Sequence, residues 1–162
     1  MRKTISKSLV LGLDFDGVVV DLTGLEAKLG RGVTEEDTVL APMEELNPVS
    51  GVEEVFSLGI VEAVITRRLL EEPIRRWFRY WFGRVPVPVY CIGPYGDKAR
   101  KCKELGINVF VDDDYGIVRR LRECGIVALW FRVEEDRDLY RFLKRKGIVK
   151  LEELKTCRRW GR

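Results

Sequence analysis

Three groups of side chains in this sequence have the types and the spacing to do chemistry together. Asp14 and Asp16 leave an apolar run in LGLDFDGVV, and Asp112, Asp113 and Asp114 leave another in VFVDDDYG. Thr66 follows the apolar VEAVI, and Lys98 follows YCIGPYGD at the start of a helical stretch. If the apolar runs are strands of an open parallel sheet, their carboxyl ends share one rim, which is where ligands bind in such sheets. So many carboxylates on one rim repel one another unless a cation compensates them. A hard, oxygen-preferring ion such as Mg²⁺ is the expected solution. A cation, a hydroxyl and a lysine around an aspartate make a trianion site, in which neutralised charge lets a carboxylate attack phosphorus.

Composition narrows the chemistry from the other side. The chain has 162 residues, 29 Lys and Arg, 26 Asp and Glu, and no histidine. A Ser-His-Asp or Cys-His pair, an HExxH zinc site and a His-ligated haem are therefore excluded within it. Carboxylates, Lys, Arg, hydroxyls, thiols and an oxygen-held metal remain. Glutamine is absent and only Asn47 and Asn108 represent asparagine, which with abundant Arg, Lys and Glu fits the hyperthermophile trend. Cys91, Cys102, Cys124 and Cys157 show no CxxC spacing, so free, mostly buried thiols are expected. A thermophilic source would leave an intracellular disulfide open.

The length suits one domain, residues 1–162, that can bury a core without staples. The basic start MRKTISKSLVLGL superficially resembles a signal peptide, but Asp14 and Asp16 break its apolar run too early for an h-region or a membrane span. A cytoplasmic protein with no membrane partner is expected. The segment 139–162 carries nine basic residues against Glu152 and Glu153. It could meet nucleic acid or another polyanion, or serve as a solvated helix face.

The elements that must position these groups are marked by a recurring joint. VFSLGIVEAVIT, KELGINVFVD, RECGIVALWF and LKRKGIVKL each run from a helical stretch through Gly-Ile into apolar residues, with glycine closing the helix so that a strand can follow. Strands are predicted at 8–13, 60–65, 87–92, 108–111 and 126–130, nearly continuous in apolar residues as strands covered on both faces are. Helices are predicted at 52–58, 73–82, 98–105 and 117–124. The alternation predicts an α/β fold, a doubly wound three-layer sandwich on a mainly parallel five-stranded sheet. In the 73–82 helix, Ile74, Trp77, Phe78 and Trp81 form a stripe that reads as core. Residues 22–50 carry no strand pattern and read as a small cap-like insertion after the first strand, with Thr34 and Asp37 spaced as a capping box.

DFDGV, ITRR, GDK and VDDD, in that order and strand context over residues 9–130, resemble motifs one to four of the haloacid dehalogenase superfamily of phosphohydrolases. The resemblance implies a Rossmann-like fold and makes Asp14 the nucleophile that forms an aspartyl-phosphate. It makes Asp16 the acid that protonates the leaving alcohol and then the base that activates water. Thr66 would bind a phosphoryl oxygen and Lys98 would stabilise nucleophile and phosphate. Mg²⁺ would be held by Asp14, the main-chain carbonyl of Asp16, and Asp112 or Asp113, with Asp114 left as a loop or capping residue. Gly17 allows the tight turn that brings main-chain amides to the phosphate. Phe15 and Gly17 thus count as substrate-binding positions on that turn, although the Phe15 side chain has no claim beyond packing. Arg67 and Arg68 stand at the rim to hold a second phosphate or stack on a base, or as plain surface charge. Tyr95 is a further candidate for stacking.

Taken singly, an Asp at a strand end is usually a cap or turn residue, so the weight lies in the set. ITRRLLEEPIRRWF and the segments after it are similar to the 5'-nucleotidase branch of the deoxyribonucleotidase type, from which the chain departs in its shorter insertion. The expectation is a Mg²⁺-dependent phosphomonoester hydrolase for a nucleotide or other small phosphate. The open alternatives are a phosphatase for nucleic-acid or protein phosphate ends, and a non-catalytic module of this fold that binds a polyanion through its basic tail. A small cap also leaves room for a homodimer, in which a second subunit would complete the pocket.

Overall fold

Each glycine of the recurring joint has positive φ, +70° at Gly59, +70° at Gly106, +81° at Gly125 and +75° at Gly147, the left-handed turn that ends a helix without a Cβ penalty. At the first three, a strand follows at once. The computed structural model describes residues 8–149. Cys157 and the basic residues from Lys150 onward lie outside that range, as does whatever follows Val149 after the fourth joint.

The strands are β1 (Leu11–Leu13), β2 (Val61–Thr66), β3 (Val89–Cys91), β4 (Val109–Asp112) and β5 (Val127–Trp130). They form one five-stranded sheet in the order β3-β2-β1-β4-β5, parallel at every pairing. Helices α1 (Thr23–Leu29), α2 (Glu35–Leu40) and α3 (Val52–Ser57) lie between β1 and β2, with a short 3₁₀ turn at Met43–Glu45. The others are α4 (Glu72–Phe82), α5 (Lys98–Leu105), α6 (Tyr115–Glu123), α7 (Val133–Asp136) and α8 (Leu139–Arg145). None of the described helices is long and apolar enough to cross a membrane.

The observed bounds differ from the predicted ones for local reasons. β3 begins at Val89 because Pro86 and Pro88 cannot donate to a ladder. α6 begins two residues early because the Asp114 carboxylate accepts from the N–H groups of Gly116 and Ile117 (2.8 and 3.3 Å). Residues 8–10 do not join β1; instead Asn108 binds them, accepting from Val10 N–H (2.9 Å) and donating to the Ser8 carbonyl (2.8 Å).

Two apolar layers cover the sheet. Leu11, Leu13, Val64, Trp77, Phe78 and Leu139 belong to one, and Ala63, Ile65, Phe110, Val118 and Leu121 to the other. The α4 stripe is core, with Ile74, Trp77 and Phe78 buried. Gly12 keeps the centre tight, since a Cβ there would come within 2.7 Å of the Phe110 ring. The winding runs from β1 outward to β3 and then returns to lay β4 against the other side of β1. That reversal places the crevice between the ends of β1 and β4.

Candidate active site

β1, β2 and β4 end side by side, so the residues after them meet. The Asp14 N–H donates to the Val111 carbonyl (2.9 Å), which lets the sheet itself set the position of that carboxylate. Asp112 ends β4 and is fully buried, and Thr66 ends β2 at 1% exposure. Lys98 opens α5, where Asp97 caps the helix by accepting from Ala99 N–H (3.0 Å). Its ammonium donates to Asp14 Oδ1 (2.8 Å) and to Asp112 Oδ2 (2.7 Å). Burial acts to lower the Lys98 pKa, but Asp14 and Asp112 outweigh it and leave it raised. Two carboxylates thus share one ammonium, and excess negative charge remains.

That excess shows in the neighbours. Burial pushes the Asp14 carboxyl well above the usual carboxylate range; Lys98 opposes this, while Asp112, Asp113 and Asp16 add to it. Asp113 is exposed at its outer edge but crowded on its inner side. Desolvation, reinforced by Asp112, pushes its carboxyl up to about 7. Asp14, Asp112 and Asp113 each offer an oxygen within 4.8 Å of the others, a group that can hold a metal ion. An all-carboxylate donor set with unbalanced charge suits a hard cation.

The tandem acids divide the work. Asp112 faces Lys98, and its other oxygen accepts from the Asp114 N–H (2.9 Å). Asp114 caps α6. Asp113 is held from two sides: the Trp130 indole N–H donates to its carbonyl (3.0 Å), and its carboxylate nests against Gly17, where any Cβ would overlap it. Gly17, at φ +79°, sits in a coiled turn in which the Phe15 carbonyl accepts from the N–H groups of Val19 and Val20 (2.9 and 3.0 Å).

Asp16 projects from the same turn and is one-third exposed. Both of its oxygens are held by Arg68, Oδ2 by Nε at 2.7 Å and Oδ1 by Nη2. Arg68 is therefore neither plain surface charge nor a free phosphate clamp, being 93% buried and committed to Asp16. Its own N–H donates to Thr66 Oγ1 (3.2 Å). The expectation that Phe15 binds substrate changes likewise. Its ring is buried against Trp77 and Phe78, with centroids 5.2 and 5.8 Å away, and lies under the Arg68 guanidinium at 5.1 Å. Phe15 supports the arginine that holds Asp16, and only its main chain belongs to the rim. The Gly17 N–H is spent on the Val20 carbonyl (2.9 Å), so glycine serves there through its conformation. Arg67 stays exposed on the cavity wall, and Tyr95 is 99% exposed beyond it.

The insertion stands over these groups. Its α2 begins in the expected capping box, Thr34 with Asp37. Trp77 and Trp81 of α4 donate their indole N–H groups to the carbonyls of Leu46 and Met43 (2.6 and 3.2 Å). Glu35 accepts from the N–H groups of Leu69 and Leu70 (both 2.9 Å at the nearer oxygen). The insertion is thus strapped to α4 and to the loop that carries Thr66–Arg68. Between it and the strand ends lies a cavity of about 410 Å³, reached by Asp14, Asp16, Thr66, Arg67, Lys98 and Asp113.

No protein-family model matches the sequence, and no curated protein matches it. A solved structure of an uncharacterized protein from Corynebacterium glutamicum aligns with it at TM-score 0.47 and 17% identity, covering 86% of this chain and 96% of that one.

The rim residues expected from sequence, Asp14, Asp16, Thr66, Lys98, Asp112 and Asp113, are all brought together. Sequence reasoning missed the Arg68–Asp16 pair, the Glu35 strap and the Trp130 contact. None of the three had a local signal, since their partners stand 17 to 52 residues apart.

Proposed function

We propose that this protein is a Mg²⁺-dependent phosphomonoester hydrolase of the haloacid dehalogenase type, acting through an aspartyl-phosphate on Asp14. The observation that carries this reading is the setting of Asp14, buried against the Lys98 ammonium and grouped with Asp112 and Asp113 so that the three carboxylates could hold a cation, with Asp16 held two residues on. Asp14, Asp112 and Asp113 would hold Mg²⁺, which when bound supplies positive charge to offset carboxylate and phosphate.

In the first half-reaction an Asp14 oxygen bonds to phosphorus, the bond to the leaving oxygen breaks, and Asp16 gives that oxygen its proton. In the second, Asp16 takes a proton from water as the water oxygen attacks phosphorus; the acyl-phosphate bond breaks and inorganic phosphate leaves. Lys98 stays protonated, stabilising the Asp14 carboxylate and then the phosphoryl oxygens. The Thr66 hydroxyl, which accepts from Arg68 N–H, would donate a hydrogen bond to a phosphoryl oxygen. Arg68, bound to both Asp16 carboxylate oxygens, would fix the rotamer from which Asp16 acts.

The test is hydrolysis of 4-nitrophenyl phosphate with and without Mg²⁺, by the wild type and by Asp14→Asn. Turnover should need both the metal and Asp14. Metal-independent turnover, or activity that survives Asp14→Asn, overturns the mechanism. No turnover of any phosphoester, together with tight, salt-sensitive nucleic-acid binding, would favour a binding module.

A further inference from the structure

A second hollow, of about 550 Å³, shares Asp16 and Asp113 with the first. It opens between the start of the insertion, at Leu22 and Val33, and the segment entering α7, at Arg132 and Val133. Asp16 lines both hollows, so a leaving oxygen that takes its proton from Asp16 has this space directly beside it. The hollow is therefore placed to receive the organic part of the phosphomonoester.

Among the described residues its one cationic lining residue is Arg132. The guanidinium lies 4.2 Å over the Trp130 ring, and Trp130 in turn packs against Tyr115 (centroids 5.0 Å). Among the described residues the Arg132 guanidinium makes no ion pair and no hydrogen bond; the main chain of Arg132 is used instead, its N–H donating to the Asp136 carboxylate (2.9 Å) and its carbonyl accepting from the N–H groups of Glu135 and Asp136 (3.1 and 2.7 Å). A stacked guanidinium is oriented in advance, so its donors bind at a smaller entropy cost than those of a free arginine. The residues beside it set the sign of what can be bound. Glu26, Glu134 and Glu135 line the same hollow and are exposed at its mouth. A second anionic group would meet this carboxylate wall, which works against a bisphosphate or a nucleic-acid strand. A hydroxyl has no such conflict, since it accepts from guanidinium and donates to carboxylate.

We propose that this hollow takes a neutral, polyhydroxylated leaving group, that of a sugar or polyol phosphate, and that Arg132 is a substrate-binding residue for it. The assignment rests on the phosphatase reading above and adds the class of substrate.

The experiment compares kcat/KM for ribose 5-phosphate, 4-nitrophenyl phosphate and a 5'-phosphorylated oligonucleotide, in the wild type, Arg132→Ala and Arg132→Lys. The wild type should prefer the sugar phosphate to the oligonucleotide. In Arg132→Ala the ratio of sugar phosphate to aryl phosphate should fall ~10-fold or more, the worth of a hydrogen bond to a charged donor, with Arg132→Lys in between. A ratio unchanged in Arg132→Ala, or an oligonucleotide preferred to the sugar phosphate, overturns this assignment alone. A wild type that turns over none of the three overturns the phosphatase reading and the assignment with it.

Discussion

In the proposed mechanism Asp16 carries the proton in both half-reactions, so the leaving group decides how much its loss would matter. An alkyl alcohol leaves poorly as an alkoxide, whereas 4-nitrophenolate leaves readily without protonation. Asp16→Asn should therefore lower kcat on an alkyl phosphate by about 10²–10⁴-fold, the usual range for a positioned acid or base, and lower the initial phosphoryl-transfer burst on the aryl ester much less. Equal losses on the two esters in single-turnover kinetics would remove Asp16 from the acid role. Arg68 makes the Asp16 position specific: both carboxylate oxygens are held by one guanidinium, whose central carbon lies 5.1 Å over the Phe15 ring. This pair was not legible in the sequence because its members stand 52 residues apart. Their meeting depends on how β1 and β2 align, whereas Asp14, Thr66 and Lys98 each announced themselves by their place directly after an apolar run.

The insertion owes its position to two indoles of α4 as much as to its own helices. Trp77 is buried, so replacing it with phenylalanine leaves the Leu46 carbonyl without its donor and opens space in the core. Trp77→Phe should lower stability by about 2 kcal/mol or more, measured by urea unfolding. Should the loss be confined to a few tenths of that, the strap would be incidental. At this scale the sequence was read well where helices begin and end on local chemistry, as at the Thr34–Asp37 box, the Lys98 start of α5 and the closing glycines. It was read poorly where a bound depends on a distant partner. Residues 8–10 look like strand but are held by Asn108, a hundred residues away at the Ser8 contact.

For the molecule as a whole, the site sets a condition on stability. With its carboxyl at about 7 in the fold and near 4 when unfolded, Asp113 binds more proton in the native state across that interval. The slope of stability with pH is then negative: the metal-free protein should lose stability as pH rises from about 4 to 7. Divalent cation binding needs the ionised carboxylates and releases protons, so Mg²⁺ should raise the melting temperature more at pH 8 than at pH 5. Scanning calorimetry at the two values checks this, and an equal rise at both would remove Asp113 from the cation site. The overall architecture was the most legible part, because alternating apolar runs and helices leave a parallel sheet few other arrangements. The strand order was not, since local sequence does not say on which side of β1 the chain returns. The contact between the Trp130 indole and the Asp113 carbonyl has an optical consequence. An indole is an emitter sensitive to charge, and this one is bonded to a residue whose charge would change on binding of the proposed cation. Titrating Mg²⁺ into the protein should shift its ultraviolet emission, and the same titration of Trp130→Phe should be silent; that outcome would give the chain its own gauge of occupancy at the proposed site.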